Sequence, residues 1–341
     1  MKSKLFLLTG LFFVNFFLNA QNTNFGNPAG NSGVFNSSFG YNAGILVTGN
    51  NNSFFGTQSG KSNTTGGNNV FLGHQTGYLN NIGLGNVFSG YKSGYSNSSG
   101  SYNIFTGYDA GTNNTIGHHN IFTGREAGQG SQTGEYNIFI GDESGNANNG
   151  MGNTFIGRQT GNNNSAGNYN LAIGYKAGYH SSGSNNIFLG YKAGSNETNS
   201  NRLYIDNTET TIPLIYGKFD TNQLGINTNT IPIGYAMAVK GKFITEEVKV
   251  QLSANWPDFV FQKEYNLPPL KEVENYIIDN GHLQNIPSAC EVEENGILLG
   301  EMNAKLLQKI EELTLYIIQQ DARFNDQEAR LKKLESVASA K

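Results

Sequence analysis

A pair of glycines four residues apart recurs every 16 or 17 residues through the middle of this chain. The first member runs from Gly40 to Gly190 and the second from Gly44 to Gly194, in ten copies. The repeating unit, from about Phe39 to Ala193, reads N-[IV]-F-x-G-x-x-[AST]-G-x-x-N-x-x-G. A unit this short cannot bury a core alone, so neighbouring copies must stack, and the regular period predicts a solenoid. Glycine fills 44 of 341 positions, a bias that also occurs in disordered tracts, but here aromatics make up 12% and recur at fixed spacing. A solvated low-complexity segment has no reason to keep such a register.

Each repeat position has a physical reading. Asn-Ile-Phe-Thr-Gly at 103–107 is a short strand of β-branched and aromatic residues ending at a turn glycine. Ala110, Ala127, Ala177 and Ala193 are small enough for a narrowing coil interior. Asn69, Asn86, Asn103, Asn120 and Asn137 precede successive strands and are expected to stack as a side-chain ladder, amide on amide. Because side chains alternate along a strand, Phe105 points one way and Ile104 and Thr106 the other. Several repeats are apolar on both faces: Val70 and Leu72 oppose Phe71, Ile138 and Ile140 oppose Phe139, and Ile187 and Leu189 oppose Phe188. One face fills the coil, and the other forms an outer apolar stripe of the kind that marks an interface. At a rise of about 4.8 Å per coil the stack is on the order of 45–50 Å long.

The N-x-F-x-G-x-x-A-G units resemble the heads of YadA-like trimeric adhesins over about 155 residues, with a longer period than that family's usual unit. The resemblance implies a left-handed parallel β-roll, trimeric and adhesive. The chain departs from that family in having no C-terminal membrane-barrel anchor, so self-anchoring is not expected.

Residues 1–20 have the form of a secretory signal: Lys2 and Lys4, the apolar run Leu5 to Leu18, and Ala20 before a polar stretch. The expected location is therefore outside the cytoplasm, secreted or at the cell surface. No later segment has the roughly 20 apolar residues of a membrane span. The single cysteine, Cys290, provides no disulfide framework.

The net charge of −4 is unevenly spread, since residues 21–200 carry 12 of the 48 charged residues and 201–341 carry 34. Neither part has a basic stripe for phosphates, so nucleic acid is not an expected partner.

After a leader (21–38) and the repeat head (39–200), short alternating runs suggest a β neck over 201–251, with strands at Leu203–Ile205, Leu214–Tyr216 and Phe243–Thr245. A small helical connector follows over 252–297. Pro268-Pro269 opens a helix closed by Asn280-Gly281, and Ser288 with Glu291 forms a capping box ahead of a second helix that ends at Gly296. From 298 to 341 a heptad predicts a coiled coil: Ile310, Ile317, Phe324 and Leu331 at a, and Leu306, Leu313 and Leu334 at d, with Asn303 also at a and Gln320 and Gln327 at d. Ile at a with Leu at d favours two strands, whereas the head resemblance implies three; a homotrimer is the expectation.

The segment from Lys249 to about Gln320 also resembles a C-terminal region of secreted Bacteroidetes surface proteins. By position it is similar to phage tail-fibre chaperone domains, some of which cleave themselves with a serine-lysine pair. Ser253 and Lys263 are a poor substitute for that pair, and a structural role is expected.

Neither a cofactor nor a bound metal is expected, and neither is enzymatic activity. His118-His119 reads as an exposed corner, the repeat block has only Asp109 and Asp142 as aspartates, and the glycine strings lack the lysine of a phosphate loop. Tyr41, Tyr91, Tyr108, Tyr175 and Tyr191, each following a first glycine, are the recurring candidates for ligand contact. They read either as a structural tyrosine ladder or as a row that docks a surface glycan or a protein. The functional expectation is a secreted adhesin-like fibre, with a polysaccharide- or ice-binding solenoid or a tail-fibre-like protein as alternatives.

Overall fold

Three consecutive residues per coil are enough to build a strand here, because the residue in the middle always points inward. The computed structural model of the protein describes residues 23–25, 33–251 and 256–339. The expected signal peptide and half of the leader lie outside the described residues, as does Ser253. The chain divides into two compact units, residues 1–243 and 244–341.

In the first unit the strands are β1 (Thr23–Phe25), β2 (Ser37–Phe39), β3 (Ser53–Phe55), β4 (Val70–Leu72), β5 (Val87–Ser89) and β6 (Ile104–Thr106). They continue as β7 (Ile121–Thr123), β8 (Ile138–Ile140), β9 (Thr154–Ile156), β10 (Leu171–Ile173), β11 (Ile187–Leu189) and β12 (Arg202–Ile205). All pair in parallel, each with the next in sequence, which is the topology of a β-solenoid of about 12 turns. Repeat residues fall opposite one another, as Phe105 does opposite Phe122. The stack extends past the sequence repeat at both ends, so Leu203–Ile205, read as a neck strand, is the last parallel rung.

The core is a single file of phenylalanines. Phe54, Phe71, Phe88, Phe105, Phe122, Phe139 and Phe155 are fully buried, and their rings stack with centroids 4.7–5.2 Å apart. Burying each ring is worth about 1.5–3 kcal/mol, and each stack adds about 0.5–1.5 kcal/mol. Ala172 interrupts the file and Phe188 resumes it. The small residues Ala110, Ala127, Ala177 and Ala193 are buried beside the rings, as their size predicts.

The two glycine columns do different work. A Cβ on Gly107 (φ +141°) would lie 2.3 Å from the carbonyl oxygen of Gly124, so the first column is where adjacent coils touch backbone to backbone. A Cβ on Gly111 (φ +59°) would lie 2.5 Å from the Phe105 ring, so the second column makes room for the core. Between them sits a residue in the left-handed region that is never glycine: Lys92, Asp109, Glu126, Glu143 and Lys176 have φ of 51–56°. The position holds polar, unbranched side chains, which tolerate this conformation better than β-branched ones.

The asparagine ladder bonds amide to amide only in part, as where Asn153 donates to Asn137 (3.2 Å) and Asn170 to Asn153 (3.1 Å), and elsewhere in the column it bonds to the backbone. Asn103 receives the Asn120 backbone N–H on Oδ1 (2.9 Å) and donates from Nδ2 to the Gly117 carbonyl (2.8 Å). The amide therefore joins backbone to backbone across coils, because parallel strands three residues long leave neighbouring main-chain groups unpaired. A second column bonds amide to amide more closely: Asn80, Asn97 and Asn114 each donate to the asparagine one coil earlier at 2.6–2.7 Å. Ser131 breaks that column, leaving Asn114 Oδ1 and Ser131 Oγ buried without hydrogen-bond partners.

Three strands close the stack: β13 (Ile215–Lys218) pairs antiparallel with β12, β14 (Gln223–Ile226) antiparallel with β13, and β15 (Met237–Val239) parallel with β14. Tyr204 and Tyr216 meet edge to face at 5.2 Å and close the core at this end. The run Phe243–Thr245 is not a strand. Phe243 and Ile244 are exposed, and among the described residues no strand pairs with them.

In the second unit a 3₁₀ turn (Asp258–Phe261) precedes helices α1 (Leu270–Asn280), α2 (Ala289–Asn295) and α3 (Leu299–Ala338). Gly281 caps α1 in the left-handed conformation. Ser288 and Glu291 form both bonds of the capping box on α2, and Gly296 ends it. Among the described residues, no helix is long and apolar enough to cross a membrane.

Candidate functional site: the outer face and the heptad face

The residues flanking each inward phenylalanine form two parallel rows on the outside of the solenoid. Val70, Val87, Ile104 and Ile121 are 36–44% exposed in one, and Phe55, Leu72, Ile140, Ile156 and Ile173 are 37–54% exposed in the other. Alternation makes this unavoidable: a strand that buries its middle residue must turn its neighbours outward, and here most of those neighbours are β-branched or aliphatic, with Ser53, Phe55 and Ser89 among the exceptions.

The candidate tyrosines share one column on the turn after the first glycine, but they do not form one row. Tyr91 stacks on Tyr108 at 5.0 Å and Tyr175 on Tyr191 at 5.4 Å. Thr57 and His74 separate Tyr41 from Tyr91, and Arg125, Asp142 and Arg158 separate Tyr108 from Tyr175. Within each segment the rings lie face to face, so they use their faces on one another and turn their edges outward. Lys92 and Lys176, each next in sequence to a tyrosine, place their ammonium groups within 5.3–5.8 Å of the ring centroids of Tyr91, Tyr95 and Tyr175.

A second aromatic column escaped the sequence reading. Tyr102, His119 and Tyr136 occupy the position before the ladder asparagine, stack at 4.9–5.1 Å, and have left-handed φ of 56–60°. Tyr102, Tyr136 and the column's later member Tyr169 are 55–59% exposed, more than Tyr91 at 38%. The missed signal was positional: glycine at 85 and 152 occupies the same left-handed site, and an aromatic ring from the next coil lies over it.

The charged residues gather in mid-column. Arg125 contacts Glu126, Asp142 (2.7 Å) and Glu143 (2.8 Å), and Asp142 also meets Arg158 at 3.2 Å. Hydrogen bonds from Gln159 and then Arg125 hold the Glu143 carboxyl below its ordinary range. His118 pairs with Glu135 at 3.1 Å, and among the described residues no three His, Cys, Asp or Glu side chains converge as a metal site.

In the second unit, α3 carries two apolar faces. Helical geometry places Gly300, Leu307, Glu311 and Leu315 on one side and Leu306, Ile310, Leu313 and Ile317 on another. On the first side Gly300 and Glu311 are buried, and beside it Glu312 receives hydrogen bonds from Tyr265 (2.5 Å) and Gln308 (2.9 Å) and pairs with Lys309. Burial pushes the Glu312 carboxyl up, but those three partners outweigh it and leave it below the ordinary range. Tyr316 donates to the Pro268 carbonyl.

The heptad side is open. Leu306, Ile310, Leu313, Ile317, Phe324, Leu331 and Leu334 are 45–67% exposed. Leu306, Ile310 and Leu313 floor a groove of about 450 Å³ whose other wall is Val273, Tyr276 and Leu283.

No family model, no curated protein and no solved structure matches this chain.

Proposed function

We propose that this protein is an exported, adhesin-like fibre that works as a homotrimer and binds surfaces rather than catalysing a reaction. The observation that carries the reading is the pair of exposed apolar rows along the solenoid. Exposed apolar residues repeated coil after coil in this way mark an interface, and association is what covers them. The open heptad face of α3 supports the same reading from a separate unit. The repetitive solenoid then offers many equivalent weak contacts, and joining three copies raises their combined strength by about 10²–10⁴ without new chemistry. The outward edges of the Tyr102, His119 and Tyr136 column, and of the Tyr91 and Tyr108 pair, are the surfaces proposed to meet a glycan or protein ligand.

The test is binding of the chain lacking residues 1–20 to a panel of immobilised polysaccharides and extracellular proteins. The same panel is run with an Ile310→Asp, Ile317→Asp variant. The reading expects saturable binding to at least one surface and a fall of about 10²-fold in apparent affinity for the variant. Equal binding by both proteins, or no binding across the panel, would overturn it.

A further inference from the structure

Helix α3 carries its charges asymmetrically about the open heptad face. With Ile310, Ile317, Phe324 and Leu331 at a, the e positions are Thr314, Asp321, Glu328 and Glu335, and the g positions are Lys309, Tyr316, Arg323 and Arg330. Every acid among these flanking positions is at e, and every base is at g. In a parallel, in-register pair of helices, a g residue meets the partner's e residue five positions later. Arg323 then faces the partner's Glu328, and Arg330 faces the partner's Glu335. In an antiparallel pair g meets g and e meets e, which sets arginine against arginine and glutamate against glutamate. Among the described residues, neither Arg323 nor Glu335 has an ion pair within its own chain, while Glu328 pairs with Lys332 (2.8 Å) and Arg330 lies 3.9 Å from Asp326, both exposed pairs one turn apart on α3.

The groove beside α3 is one-sided in the same sense. Lys309 and Tyr316, both at g, line it together with Val273 and Tyr276 of α1, while Leu307 and Thr314 at e do not. Helix α1 therefore lies on the g flank, the flank that a parallel partner approaches with its e residues. Its Leu270, Ile277 and Ile278 are 43–72% exposed, so α1 has apolar surface left to cover.

We propose that a second copy of this chain docks parallel and in register on the a/d face of α3, with α1 as the wall of the docking groove and the g and e charges fixing its direction. The occupant is a second copy because the groove floor continues, at heptad spacing, through Ile317, Phe324, Leu331 and Leu334 to the end of α3. The chain's own helix supplies both the matching seam and the complementary charges. This rests on the self-association proposed above and adds its direction and the part played by α1.

The experiment uses the full chain with Cys290→Ser. Two differently tagged versions are co-expressed, one with Val273→Cys and one with Thr314→Cys, and oxidised mildly. With Cys290 replaced, each version carries a single cysteine, so no bond within one chain can form. The expected result is a disulfide-linked pair carrying both tags. A Leu313→Cys version reports on the seam alone, since d residues of neighbouring copies meet in a parallel coil. If Leu313→Cys cross-links and the mixed pair does not, the α1 docking groove is wrong. If neither cross-links, self-association itself fails, and this inference fails with it.

Direction has its own arm. Arg323→Glu with Arg330→Glu is expected to weaken association about tenfold at low salt, and adding Glu328→Arg with Glu335→Arg is expected to restore it. A fourfold-substituted chain no better than the twofold one would overturn the parallel register.

Discussion

The solenoid and helix α3 spend their apolar residues in opposite ways. In the solenoid nearly every coil buries one ring against its neighbours, and its main chain is bonded to the coils on either side, so a core forms within one chain. In α3, 40 residues long, only Gly300, Glu311 and Glu312 are buried, and the most regular apolar pattern in the helix is left in solvent. The lesson is that periodicity alone does not say where the partner is. A period of 16 or 17 residues returns the chain to itself, while a heptad face needs a second helix to cover it.

The sharpest way to break this contrast is to remove a rung. Phe122→Ala, in the middle of the ring file, is expected to cost about 3–5 kcal/mol. Hydrogen exchange should show the loss concentrated in the flanking coils, since stability in a repeat stack is largely nearest-neighbour. Uniform loss across all coils would mean that the solenoid is not locally additive.

Gly111→Ala probes the same core from the turn. It forces a methyl toward the Phe105 ring in a left-handed backbone, with an expected cost of about 1–3 kcal/mol in chemical denaturation. Acidification probes the helical unit. The Glu312 carboxyl is held low in the folded chain, so its contribution is complete above the ordinary carboxylate range and is lost as pH falls through the folded value. The expected loss is read as lower helical stability at acid pH and is absent in Glu312→Gln. A gain is also expected: Ser131→Asn should rejoin the amide ladder by donating to the orphaned Asn114 Oδ1, and raise stability by about 0.5–1.5 kcal/mol. If it destabilises instead, the coil at 131 is too narrow for an amide.

Much of the solenoid was legible because its determinants are local and repeated. The Phe105 column, the glycine pairs and the buried alanines follow from side-chain alternation and size, and the Ser288–Glu291 capping box follows from one spacing. Other features depend on what lies one coil away. Whether Asn103 bonds to an amide or to a backbone group turns on the position of the Gly117 carbonyl, which no residue near Asn103 in sequence reveals. The column at Tyr102, His119 and Tyr136 hides behind the variety of its members, since glycine, asparagine, tyrosine and histidine share only a tolerance for left-handed φ. Phe243–Thr245 reads as a strand by composition, yet a strand needs a neighbour as well as a pattern. Of the candidate sites, the tyrosine positions and a ladder reading of them were visible, but the breaks that split the ladder into the Tyr91–Tyr108 and Tyr175–Tyr191 pairs take their effect only in the stacked coils.

Light scattering on the chain lacking residues 1–20, across a wide concentration range, tests the central claim most directly. Association predicts three times the mass of one chain, falling to that of one chain when Ile310 and Ile317 are both replaced by aspartate. The mass of a single chain at every concentration would contradict it.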